Sequence, residues 1–183
     1  MTQLTLANQL TMLRMLLIPA FVILVLYGRL GWALIAFGVA GATDALDGLI
    51  ARRAGQKTPL GAWLDPMADK LLLVSAFVVL TLPNTGLVHR IPVWLTVLII
   101  SRDVAIVLTV AVVNMAIGRR TFPPSLLGKT ATAIYILTCL VFLLANYLQA
   151  DARVVTPWVY LALAVTLLSA LHYVARVRQV VNQ

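Results

Sequence analysis

The chain has 183 residues, 62% of them hydrophobic and only 11% charged, with a mean hydropathy of +0.99. So few polar residues cannot cover a water-soluble domain of this length, and lipid must be the main solvent. The net charge of +8 is no nucleic-acid footprint, because the basic residues stand singly or in pairs at the ends of apolar runs, where lipid phosphates account for them.

Six apolar stretches are long enough to cross a bilayer about 30 Å thick, which takes roughly 20 helical residues. In chain order they are Thr11–Tyr27, Gly31–Ala51, Gly61–Leu82, Ile91–Ile117, Leu126–Leu148 and Pro157–Val177. Helix breakers fall between them at Pro83-Asn84-Thr85-Gly86, at Pro123-Pro124 and across Gln149–Pro157. The expected fold is therefore all-α, a polytopic membrane protein of six transmembrane helices. With no repeat or linker, residues 1–183 read as one domain. The lone cysteine, Cys139, excludes an internal disulfide, and the first ten residues lack the basic start of a cleavable leader.

Charge bias sets the expected orientation. Nine basic residues (Arg14, Arg52, Arg53, Lys57, Arg119, Arg120, Lys129, Arg176 and Arg178) lie at one set of span ends, against Arg29, Arg90 and Arg153 at the other. That asymmetry places both termini and the second and fourth loops in the cytoplasm.

The acids carry more information. All six are Asp, and four of them, Asp44, Asp47, Asp65 and Asp69, fall in the second and third spans. On a helix the first pair is three residues apart and the second four, so each pair shares a face. A short connection makes the two helices antiparallel neighbours, so the four carboxylates can meet near one end. Each would cost roughly 2.5–3.5 kcal/mol at mid-membrane, about 10 kcal/mol together if uncompensated. Arg52 and Lys70 cannot neutralise four clustered carboxylates. Two divalent cations can, and an all-oxygen donor set suits Mg²⁺ or Mn²⁺ rather than zinc. Gly48 and Gly61 leave room for a ligand beside the backbone, or simply for close helix packing. Arg52, little more than one turn beyond Asp47, stands at the same mouth and suits a phosphate.

The pattern D-x2-D-G-x2-A-R-x8-G-x3-D-x3-D, eight fixed positions over residues 44–69, resembles without departure the motif of the CDP-alcohol phosphotransferase family. The six-span layout extends the resemblance over nearly the whole chain. It implies that Asp44, Asp47 and Asp65 bind metal with the donor diphosphate. Asp69 would complete a second metal position and act as general base. Gly48, Ala51, Arg52 and Gly61 would form the nucleotide surface. It further implies a homodimer and an active site facing the cytoplasm, with a bacterial cytoplasmic membrane as the setting.

Weaker features bear on substrate. Asn8, Thr11 and Arg14 share one face at the entry to the first span, and similar starts occur where CDP-diacylglycerol is the donor; the alternative is an interfacial cap with a snorkelling arginine. Arg102, beside Asp103 in the fourth span, is a candidate for an anionic alcohol acceptor, or it merely balances its neighbour. Arg119, Arg120 and Lys129 bracket the Pro-Pro loop and are either acceptor contacts or lipid anchors. The resemblance thus implies transfer of a phosphatidyl group from CDP-diacylglycerol, releasing CMP. Glycerol 3-phosphate leads as acceptor and phosphatidylglycerol is the alternative. The run from Ile91 to Val104 resembles the cardiolipin-forming relatives, and Val110 stands where many glycerophosphate-using relatives have an arginine. An ion or proton transporter is the competing class, and it would release no CMP.

Overall fold

The computed structural model describes residues 6–54, 59–83, 85–117 and 126–181. They form six helices: α1 (Leu6–Leu26), α2 (Leu30–Ala54), α3 (Pro59–Thr81), α4 (Val93–Ile117), α5 (Leu126–Tyr147) and α6 (Ala152–Val181). Among the described residues three stretches are long and apolar enough to cross a membrane: Val93–Val112, Leu126–Tyr147 and Ala152–Ala175. Thr11–Leu26 and Leu30–Thr43 are shorter apolar stretches. The expected architecture is therefore met as an all-helical chain of six helices with three candidate spans. The charged motif interrupts the apolar character of α2 and α3.

Two helices end in the same way. Gly28 takes the left-handed conformation (φ +69°) after α1, the Arg29 N–H returns to the Leu24 carbonyl at 2.8 Å, and the Gly28 N–H reaches Val25 at 3.0 Å. These two bonds satisfy carbonyls that the helix end leaves open. Gln149 (φ 51°) does the same for α5, with the Ala150 N–H on the Ala145 carbonyl at 2.9 Å. The breaker expected across Gln149–Pro157 is shorter than that, because α6 starts at Ala152. Asp151 caps it by accepting the Arg153 N–H at 2.9 Å, and Pro157 is carried inside the helix. Conversely α4 starts two residues later than expected. The Ile91 N–H is used on the Leu80 carbonyl, and the Pro92 carbonyl opens the helix by accepting from Leu95 and Thr96.

The core is built where α1 and α5 pack against both α2 and α3. Ala33, Ala36 and Ala40 of α2 are buried, and Phe37 of the same helix meets Phe21 of α1 with ring centroids 5.3 Å apart. Phe77 of α3 meets Tyr135 of α5 edge-on at 5.8 Å. The outer surface is as apolar as the core: Leu16, Val88, Met115 and Leu126 are each at least 70% exposed. An apolar exterior of this kind is the mark of a lipid-facing bundle.

His89 is a joint between turns. Its backbone N–H donates to Asn146 Oδ1 at 2.9 Å, while Asn146 Nδ2 donates to the His89 and Phe142 carbonyls at 2.8 Å each. The His89 ring Nε2 donates to the Ala150 carbonyl at 2.7 Å. The α3–α4 loop is thereby fixed to the α5–α6 turn. Asn146→Leu is expected to cost about 1–3 kcal/mol, since it leaves both backbone groups of His89 without partners. Thermal unfolding in detergent, and faster tryptic cleavage after Arg90, will register the loss.

Candidate active site

Asp44 and Asp47 lie in the second half of α2, and Asp65 and Asp69 in the first half of α3. From Ala54 to Pro59 the chain advances five residues, so the motif ends of the two helices lie within about 18 Å of each other. Pro59 suits a helix start because its fixed φ and missing N–H cost nothing in the first turn. Of the four aspartates only the Asp69 side chain is among the described ones; it is half-buried and follows the fully buried Ala68. The side chains of Asn8, Asp44, Asp47, Gly48, Ala51, Arg52, Gly61 and Asp65 lie outside the described set, as do Arg119 and Arg120 entirely. Among the described residues no three His, Cys, Asp or Glu side chains group together.

Arg14 and Thr11 sit on the helix that packs against both motif helices. They are 0% and 1% exposed, so Arg14 is an interior cation and does not snorkel to the surface. A fully buried guanidinium among apolar helices is expensive unless it faces negative charge or hydrogen-bond acceptors. Lys129, in the first turn of α5, is exposed.

The described charges form a chain across three helices. Lys70, next to Asp69, places Nζ 3.2 Å from Asp103 Oδ2. The other oxygen of Asp103 accepts from Arg102 Nη1 at 2.6 Å, and Arg102 Nη2 donates to Ser169 of α6. Arg102 is 11% exposed, and its buried Nε has no hydrogen-bond partner among the described residues. Arg102 and Asp103 are the tenth and eleventh residues of the 20-residue stretch Val93–Val112, its centre. One carboxylate therefore serves two cations at mid-height. Tyr173 extends the contact by donating to the Ile106 carbonyl at 3.2 Å, and Tyr135 and Thr166 join α5 to α6 at 2.7 Å.

Ser169 was not singled out from sequence, and Lys70 was weighed only as a counter-charge to the aspartates. The signal for Ser169 was present in α6, where Thr166, Ser169 and Tyr173 recur at helical spacing through an otherwise apolar run.

A helical membrane protein with two acidic pairs on adjacent helices, backed by buried arginines, is what fold and site together define. A family model, CDP-alcohol phosphatidyltransferase, matches residues 4–170, and the chain belongs to that family. A probable phosphatidylglycerophosphate synthase of Mycobacterium tuberculosis is 36% identical over 182 residues, covering 93% of this chain and 80% of its own. A CMP-forming cardiolipin synthase of Streptomyces coelicolor is 32% identical, covering 98% and 85%. A CDP-diacylglycerol–glycerol-3-phosphate 3-phosphatidyltransferase of Pseudomonas fluorescens is 43% identical over 106 residues, 54% of this chain and 51% of its own.

Asp103→Asn is expected to lower stability by about 1–3 kcal/mol, chiefly because it leaves the nearly buried Arg102 without its carboxylate and also loosens the half-exposed Lys70. Lys70→Met leaves the Arg102–Asp103 pair intact and should cost less than about 1 kcal/mol. Thermal melts of the two variants give the order, and equal losses would deny Asp103 its double role.

Proposed function

We propose that the protein is a phosphatidyltransferase that moves the phosphatidyl group of CDP-diacylglycerol to an alcohol and releases CMP. The observation that carries this reading is the placement of four aspartates at helical spacing on α2 and α3, helices joined by a connection too short to separate their ends. In the reaction the acceptor oxygen attacks the lipid-bearing phosphorus, the bond from that phosphorus to the oxygen of CMP breaks, and the hydroxyl proton passes to Asp69. Asp69 is the candidate base in this reading, and its side chain is half-buried at the middle of α3.

The donor set is four carboxylates with no sulfur or imidazole in the motif, which fits hard cations such as Mg²⁺ or Mn²⁺. Asp44, Asp47, Asp65 and Asp69 would hold two of them, which when bound offset charge on the diphosphate and make CMP a better leaving group. Gly48, Ala51, Arg52 and Gly61 form the nucleotide surface in this reading, and Asn8, Thr11 and Arg14 close it from α1. Arg14 is buried on the helix that packs against both motif helices, which supports that assignment.

The mid-height charges favour an anionic acceptor. Lys70 and Arg102 share a single carboxylate, so the group keeps one positive charge in excess to attract a phosphate. Lys129, Arg119 and Arg120 would complete that pocket from the cytoplasmic loop. Glycerol 3-phosphate leads, supported by the similarity to the mycobacterial synthase. Phosphatidylglycerol is the second reading, favoured by Val110 and by the similarity to the Streptomyces enzyme. Six membrane spans, cytoplasmic termini and active site, a bacterial cytoplasmic membrane and a homodimer belong to the same proposal; the nine-to-three basic asymmetry supports the sidedness.

Purified protein given CDP-diacylglycerol and either acceptor should release CMP only with a divalent cation, and chelation should abolish release. The lipid product identifies the acceptor. Asp69→Asn is expected to lower turnover at least about 10³-fold while retaining donor binding, a loss in the range of a missing general base. Turnover at the parent rate in Asp69→Asn, or after exhaustive chelation, would overturn the mechanism. Solute uptake without CMP release would turn the assignment to a transporter.

A further inference from the structure

Three cavities open along the end of the bundle remote from the aspartates, with volumes of about 690, 460 and 410 Å³. Each is lined by one arginine (Arg29, Arg90 or Arg153) and at least one large aromatic side chain, and no carboxylate lines any of them. The largest lies where the α1–α2 turn faces the end of α5. Arg29 and Gln149, the aromatic rings of Trp32 and Tyr147, and the apolar side chains of Leu34 and Ile35 are among the residues that line it. Trp32 precedes Asp44 by twelve residues on α2, about 18 Å along the helix, so the cavity is remote from the motif.

Its shape depends on one small residue. A Cβ at Gly31 would meet the Tyr147 ring at 3.0 Å, so glycine lets α5 lay that ring against α2 and close the back of the slot. What remains is amphipathic: an apolar wall running along α2, two aromatic rings at the level where such rings favour the membrane interface, and a single cation above them.

We propose that this cavity seats an anionic phospholipid, with its phosphodiester on Arg29, its glycerol backbone against Trp32 and Tyr147, and an acyl chain along Leu34 and Ile35. Charge complementarity selects the headgroup. A headgroup of net negative charge gains from the arginine, whereas a zwitterionic headgroup is already neutral and gains less. The apolar wall selects a lipid over a free phosphate, which would leave that wall wet. This seat is independent of the transfer reaction proposed above.

The test uses full-length protein with Trp63, Trp94 and Trp158 changed to Phe, leaving Trp32 as the sole tryptophan, in vesicles of phosphatidylcholine. Acyl-brominated phosphatidylserine or acyl-brominated phosphatidylcholine is titrated in, and quenching of Trp32 is read. Phosphatidylserine should quench at roughly tenfold lower mole fraction than phosphatidylcholine, and Arg29→Gln should bring the two curves together. Arg90→Gln, in the neighbouring cavity, should leave them apart. Coincident curves in the parent protein, or unchanged selectivity in Arg29→Gln, overturns the proposal. So does relief of quenching by millimolar inorganic phosphate, which would assign the seat to a free anion. Should the single-tryptophan protein not fold, native mass spectrometry of phosphatidylserine retention by the unmodified chain and by Arg29→Gln decides in the same sense.

Discussion

A charge enclosed by apolar helices has to be answered inside the bundle, and that constraint organises this molecule. In water an exposed arginine is solvated at no cost to the fold. Here Arg14 is fully buried and Arg102 nearly so, each enclosed by apolar helices. The protein answers Arg102 with Asp103 and Ser169, and stretches the same carboxylate to Lys70. Helices α3, α4 and α6 are thus held by polar contacts at mid-height, where packing between apolar surfaces alone gives little specificity in a bilayer. The same constraint runs through the proposed chemistry, in which a charged diphosphate and its cations are the answer to the aspartates of α2 and α3.

Smaller polar contacts follow this logic. Thr81 and Thr96 meet at 2.7 Å between α3 and α4, while Thr81 also donates to its own helix at Phe77. Thr43, Thr138 and Thr166 return their hydroxyls to carbonyls three or four residues earlier. Each hydroxyl is satisfied locally, so threonine can sit in an apolar interior without desolvation cost. Two of these threonines also reach a neighbouring helix, Thr81 to Thr96 and Thr166 to Tyr135, and such contacts tie the helices together.

The sequence revealed much of this and concealed a definable part. Six helices were legible because apolar length and Pro/Gly punctuation are local properties. The aspartate positions were legible because spacing of three and four on a helix is also local. The start of α6 was misplaced because Pro157 reads as a breaker, whereas Asp151 caps a helix that starts at Ala152, five residues earlier, and the proline is tolerated within it. Arg14 was ambiguous for a deeper reason. In lipid both faces of α1 are apolar, so no amphipathic pattern says which face turns inward. The partners of Arg102 were half visible: Asp103 is its neighbour in sequence, but Lys70 and Ser169 are 33 and 67 residues away from their contacts and meet them only through packing. His89 and Asn146, 57 residues apart, were hidden for the same reason.

That last pair has a mechanical meaning. Asn146 rivets the α3–α4 loop to α5, and the His89 ring rivets it again to the turn before α6. Four helices thus share a fixed knuckle at one face of the membrane. A displacement of any one of these helices at that face is therefore passed to the other three through hydrogen bonds rather than absorbed by a slack loop.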